Sequence, residues 1–76
     1  MCQFTVCFRY WIEGEMRQVL ADCDSRGLAI AKCNAGAETC KEHGYDFVAE
    51  IFHHFGGRLE VYAGTPKGLA HQKTLF

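Results

Sequence analysis

The stretch from Phe4 to Ile12 constrains the fold more than any other part of the chain. Its even positions are Phe4, Val6, Phe8, Tyr10 and Ile12, with Thr5 and Arg9 among the odd ones. Large apolar residues at period two mark a half-buried β-strand. Glu13-Gly14 follows as a two-residue turn. A reversal there sets Ile12 opposite Glu15, Tyr10 opposite Arg17, Phe8 opposite Val19, Val6 opposite Ala21 and Phe4 opposite Cys23. Apolar residues then meet along one face, so the pattern predicts a β-hairpin that needs a cover.

The cover comes next in sequence. The second strand should end near Asp22, because Asp24-Ser25 supplies side-chain oxygens able to cap a helix N-terminus, and Gly44 supplies the stop. Between them, helical spacing gathers Ala29, Ile30, Cys33, Ala37 and Cys40 on one side, with Asn34, Glu38, Lys41 and Glu42 mostly opposite. Gly27 and Gly36 each weaken such a helix by about 1 kcal/mol relative to alanine. A face of small residues suits close packing on a sheet whose inner face carries large aromatics.

Period two returns from Tyr45 to His53, with Phe47, Ala49 and Ile51 on the core side, and a fourth strand is expected from Arg58 to Ala63. A three-residue loop, Phe55-Gly56-Gly57, would pair His54 with Arg58, His53 with Leu59, Ile51 with Val61 and Ala49 with Ala63. A two-residue Gly-Gly turn would instead set Ile51 and Val61 on opposite faces. Residues 65–76 show no periodicity and read as an irregular tail after a single domain at 1–64. The predicted fold is α+β: hairpin, helix, hairpin, forming a four-stranded antiparallel sheet with one helix packed on one face.

A 76-residue chain buries only about 60% of its unfolded surface, which makes a partner or a homodimer a natural way to complete it. The net charge of -1 gives no general attraction to phosphate. Five cysteines without staple or CxxC spacing read as reduced thiols of a cytoplasmic protein. No apolar run reaches membrane-span length.

Motifs for chemistry are sparse. Cys40, His43 and His53 or His54 could be imagined as zinc ligands, but His53 and His54 are strand neighbours that point to opposite faces. The expectation is therefore no metal and no cofactor. A catalytic cysteine needs a nearby base, which neither Cys2 nor Cys7 is offered in sequence. Gly56-Gly57 lacks the helix and Gly-Lys-Ser/Thr context of a phosphate cradle. An enzyme is not expected.

The face of the sheet turned away from the helix is more informative. The expected registers place Cys7, Trp11, Met16, Leu20, Phe52 and Tyr62 there, ringed by Arg9, Gln18, Glu50, His54, Arg58 and Glu60. Aromatic, methionine and arginine side chains within a polar rim have the composition of a protein interface. Trp11, Arg9, Met16, Phe52, Tyr62, Arg58 and His54 are the candidate partner-binding residues. Two alternatives stay open: the tail folds over this face, or Trp11 and Met16 merely form a cross-strand pair. Aromatics on a sheet can also stack bases, which makes a nucleic-acid-binding module the second functional reading.

The order of elements, with an EG hairpin, the helix SRGLAIAKCNAGAETCKEHG and a second hairpin ending RLEVYAG, resembles small accessory proteins of phages and mobile elements. Within that set it is similar to anti-CRISPR inhibitors of type I systems. The resemblance covers Thr5 to Gly64 and is one of architecture. It implies a non-enzymatic inhibitor that occludes a CRISPR effector complex or its nuclease in the host cytoplasm.

Overall fold

The computed structural model of the chain describes residues 2–71, without the Arg58 side chain. The elements run β1 (Phe4–Ile12), β2 (Glu15–Cys23), α1 (Arg26–His43), β3 (Asp46–His53), β4 (Arg58–Gly64) and α2 (Pro66–His71). The four strands form one antiparallel sheet in the order β2-β1-β3-β4, with α1 on one face.

The β1–β2 ladder runs unbroken from Phe4↔Cys23 to Ile12↔Glu15, as the alternation predicts. Its turn residues, Glu13 and Gly14, have φ of 50° and 83°. Two successive positive φ values give a turn whose twist matches that of the strands it joins. On its other side β1 pairs with β3, from Phe4↔His53 to Trp11↔Asp46. Val6, Phe8, Phe47, Ala49 and Ile51 consequently share the helix side and build the core.

Helix α1 begins where its cap allows. Ser25 is extended, and its Oγ accepts from the Leu28 amide at 3.2 Å. The helix ends at Gly44, φ 73°, where the Gly44 amide donates to the Lys41 carbonyl and the Tyr45 amide to the Cys40 carbonyl. That is the Schellman arrangement, and a left-handed residue there suits glycine. Ala29, Cys33, Ala37 and Cys40 are buried against the sheet. Gly36 explains how close the helix comes: a Cβ there would lie 2.7 Å from the Phe8 ring. Phe8 in turn stacks on Phe47 with centroids 5.6 Å apart.

The second hairpin departs from expectation. Its loop has four residues, 54–57, and the pairs are His53↔Arg58, Phe52↔Leu59, Ile51↔Glu60 and Glu50↔Val61. A bulge at Ala49/Glu50 then restores the expected Ala49↔Ala63 pair, leaving Tyr62 as the extra residue. The loop closes on His53: its carbonyl accepts from the Gly57 amide at 2.8 Å and its Nδ1 from the Gly56 amide at 3.2 Å. Its ring stacks on Phe4 at 4.7 Å. Slipping a strand by one residue exchanges its faces. Leu59 and Val61 thus turn outward, while Glu60 and Tyr62 turn toward the helix, opposite to the expected placement.

The expected irregular tail also needs correction. Pro66–His71 form α2, and residues 72–76 lie outside the described residues. Thr65 caps α2, its Oγ1 accepting from the Gly68 amide at 2.9 Å, and proline is favoured in the first turn that follows. Gly68 rests on the Phe47 backbone, where a Cβ would fall 2.0 Å from the carbonyl oxygen. Beside α2, Trp11 stacks on His71 at 4.9 Å, and Val48 has no exposed surface.

Candidate functional site

Alternation fixes which side chains reach the face opposite α1. They are Thr5, Cys7, Arg9 and Trp11 from β1, Met16, Gln18, Leu20 and Asp22 from β2, Asp46, Val48, Glu50 and Phe52 from β3, and Leu59 and Val61 from β4. Under α2 this face is closed. The remainder holds a shallow groove of 370 Å³ lined by Thr5, Cys7, Arg9, Leu20, Phe52, His54 and Leu59.

Arg9 crosses the middle of the sheet. Its guanidinium forms an ion pair with Glu50, which is fully buried, and its Nε donates to Gln18 Oε1 at 3.0 Å. The guanidinium therefore ties β2, β1 and β3 together beneath the groove. Burying a carboxylate is costly unless a charge and hydrogen bonds compensate it, and Arg9 supplies both.

The groove's far rim carries a linked trio. Thr5 Oγ1 donates to Asp22 Oδ1 at 2.8 Å and lies 2.5 Å from His54 Nε2. With the hydroxyl proton directed to Asp22, His54 must donate to Thr5. In this geometry the imidazole cannot take the proton that a threonine nucleophile would lose. The trio pins the 54–57 loop to the first hairpin. Burial pushes the Cys7 thiol up, only partly opposed by Arg9, away from the thiolate that nucleophilic catalysis requires.

Six of the seven candidate binding residues have described side chains. Trp11 is half-buried against His71, Met16 is exposed across from it, and Phe52 and His54 line the groove. Arg9 is mostly engaged in the sheet. Tyr62 leaves the set, because its hydroxyl donates to Asn34 Oδ1 of α1 at 3.1 Å. Arg58 pairs with His53 in the ladder rather than with the expected His54, and its side chain lies outside the described residues. Glu60, like Tyr62, belongs to the helix side, paired with Arg26 at 2.9 Å. Leu59 and Val61 take their places; sequence reasoning missed both because they depend on loop length.

The zinc set does not assemble. His53 stacks on Phe4 while His43 stacks on Tyr45 at 5.3 Å, beside Tyr10 and so at the other end of β1. Among the described residues, no group of three or more His, Cys, Asp or Glu side chains could hold a metal ion.

Helix α1 does not span the whole sheet. On its side a second groove of 540 Å³ opens between α1 and the first hairpin, lined by Phe8, Tyr10, Ile12, Val19, Ala21, Lys32 and His43 among others. Four strands measure about 19 Å across and one helix about 10 Å. The part left uncovered is the turn end of β2, where Glu15, Arg17 and Val19 are exposed, whereas Cys23 at its other end is buried. No helix among the described residues is long and apolar enough to cross a membrane. Comparisons with protein-family models, with curated proteins and with solved structures find no match.

Proposed function

We propose that this chain is a small non-enzymatic module that acts by binding another protein through the outer face of its sheet. The supporting observation is the composition of that face: an apolar centre of Cys7, Leu20, Phe52 and Leu59, extended by exposed Met16 and Val61, within a rim of Thr5, Gln18, Asp22 and His54. Apolar centres with polar rims are the anatomy of protein interfaces. The rigid Arg9–Glu50 crosslink beneath it limits the ordering cost of docking.

The order of elements resembles that of type I anti-CRISPR inhibitors, and on that resemblance we take a CRISPR effector complex or its nuclease as the partner class to test first, with steric occlusion as the mode of inhibition. Purified type I effector complex and nuclease should retain the protein in a salt-tolerant manner, and Phe52→Ala or Val61→Glu should abolish retention while leaving the fold intact. Retention unaffected by both changes would overturn the assignment of this face. Affinity for nucleic acid that falls steeply with salt would favour the second reading instead. The engagement of Arg9 by Glu50 and Gln18 and the acidic Asp22 on the rim weigh against it.

A further inference from the structure

The two edges of the sheet are built differently. At β4 the bulge interrupts the strand, the Arg26–Glu60 pair and the Tyr62–Asn34 bond draw it toward α1, and it is seven residues long. Those are devices that protect an edge from pairing with another chain. Strand β2 has only its charged Glu15, Arg17 and Asp22, the first two paired with each other. It runs nine residues without bulge, proline or lysine, and it exposes Val19 on one face and Met16 and Leu20 on the other.

Its main chain is equally open. In a hairpin closed by a two-residue turn the flanking pair, here Ile12↔Glu15, is hydrogen-bonded, and bonded pairs then alternate. The His54 amide bonds to the Gln3 carbonyl, which assigns the odd residues of β1 to β3 and the even ones to β2. The amides and carbonyls of Met16, Gln18, Leu20 and Asp22 consequently point away from the sheet.

We propose that β2 pairs antiparallel with β2 of a second copy about a two-fold axis at Gln18, joining the two sheets into one of eight strands. In this register Met16 of each copy faces Leu20 of the other, so the exposed apolar residues of the outer face cover one another on either side of a Gln18–Gln18 pair. On the helix side Arg17 faces Val19 and can lay its aliphatic stem across it. No like charges stand opposite, whereas a two-fold at Arg17 would oppose two guanidinium groups. With β4 protected, β2 can pair only with itself. Such an interface is isologous and closes as a dimer rather than growing into a fibre. The near-zero net charge of -1 offers little repulsion between copies. The two proposals share Met16, Gln18 and Leu20 but rest on different features: the dimer needs the outward main chain of β2, whereas the outer-face site centres on the groove around Phe52 and Leu59, so a failed dimer would leave that site standing.

Light scattering on the purified full chain, over a concentration series into the millimolar range, tests the proposal. The expected result is a concentration-dependent dimer that Leu20→Lys converts to monomer, weakening association at least tenfold. Gln18→Pro should do the same, because it removes an outward amide without touching a β1–β2 main-chain bond, although it also removes the Gln18 Oε1 that accepts from Arg9. If Gln18→Pro fails to fold, Leu20→Lys alone decides. A monomer throughout the series, or a dimer that survives Leu20→Lys at unchanged affinity, overturns the proposal; Val61→Glu, on the opposite edge, should leave the dimer intact.

Discussion

The two hairpins share a core strand pair, β1 beside β3, yet they meet their outer strands in different ways. In the first, a two-residue turn and nine uninterrupted pairs leave β2 straight and open. In the second, a four-residue loop shifts the register by one, and a bulge takes up the difference, so β4 bends toward α1. The contrast assigns roles: the regular hairpin offers an edge and a flat apolar strip, and the bulged one anchors α1 and closes its own edge. A single inserted residue is enough to separate the two, because side-chain direction alternates with period two.

The largest expected effect is at the crosslink between them. Arg9 sits in the regular ladder and Glu50 at the bulge, the former 17% exposed at its side chain and the latter fully buried. Arg9→Ala should cost about 3 kcal/mol, since it leaves Glu50 buried without its guanidinium. Changing both partners to apolar residues of similar size, Arg9→Met with Glu50→Leu, should recover most of that loss. Urea denaturation of the single and double variants checks both; a loss below about 1 kcal/mol for Arg9→Ala would mean that the bulge, not the ion pair, holds the two hairpins in register.

Next comes the helix that both hairpins share. Burial, with a smaller contribution from nearby Cys23, pushes the Cys33 thiol from an ordinary 9.0 up to about 11. Its folded value is raised, so the contribution to stability is intact below about pH 9 and is lost as pH rises toward 11. Cys40 shifts in the same direction by burial. Thermal stability should decline across this window by the equivalent of roughly 2–3 kcal/mol for Cys33 alone. Cys33→Ala should flatten the decline while lowering stability at neutral pH. A profile equally steep in the variant would place its origin elsewhere.

Tyr62 distinguishes the observed register from the one expected from alternation. With Tyr62 turned to α1, Tyr62→Phe removes its bond to Asn34 and should cost about 1 kcal/mol. A Tyr62 on the outer face would lose nothing. Equilibrium unfolding of this variant beside Asn34→Ala, with a double-mutant cycle to isolate the coupling, gives the answer.

What could be read in sequence divides along the same line. The first hairpin was legible pair by pair, and so were Ser25 and Gly44 at the ends of α1, because turn chemistry there admits one solution. The core side of β3 was legible from its alternation. The faces of Glu60 and Tyr62 were not, because HHFGG accommodates loops of two, three or four residues. What selects the longest is a tertiary feature, His53 held on Phe4 with its ring nitrogen capping the loop. Helix α2 escaped notice because Pro66-Lys67-Gly68 has poor intrinsic helicity. It forms because Thr65 caps it and because Gly68 lets it lie on the Phe47 backbone. The outer-face site inherits this division, with Phe52 and Met16 foreseen and Leu59 and Val61 not.

The smallest expected effect concerns the turns themselves, and there the regular hairpin is the one with room for improvement. Glu13 is the sole non-glycine with positive φ among the described residues, at 50°. A left-handed conformation costs an ordinary side chain about 1 kcal/mol, whereas asparagine tolerates it. Glu13→Asn should therefore raise stability by about 0.5 kcal/mol, seen as a small increase in midpoint at unchanged denaturant slope. The bulged hairpin carries its positive φ on Gly57, at 60° with open space around the position of a Cβ, so Gly57→Ala should lose stability by about 1 kcal/mol from backbone strain alone. Opposite signs at the two turns would confirm that each register is set by its own loop. A neutral Gly57→Ala would instead show that the His53 contacts carry the second turn without help from its glycine.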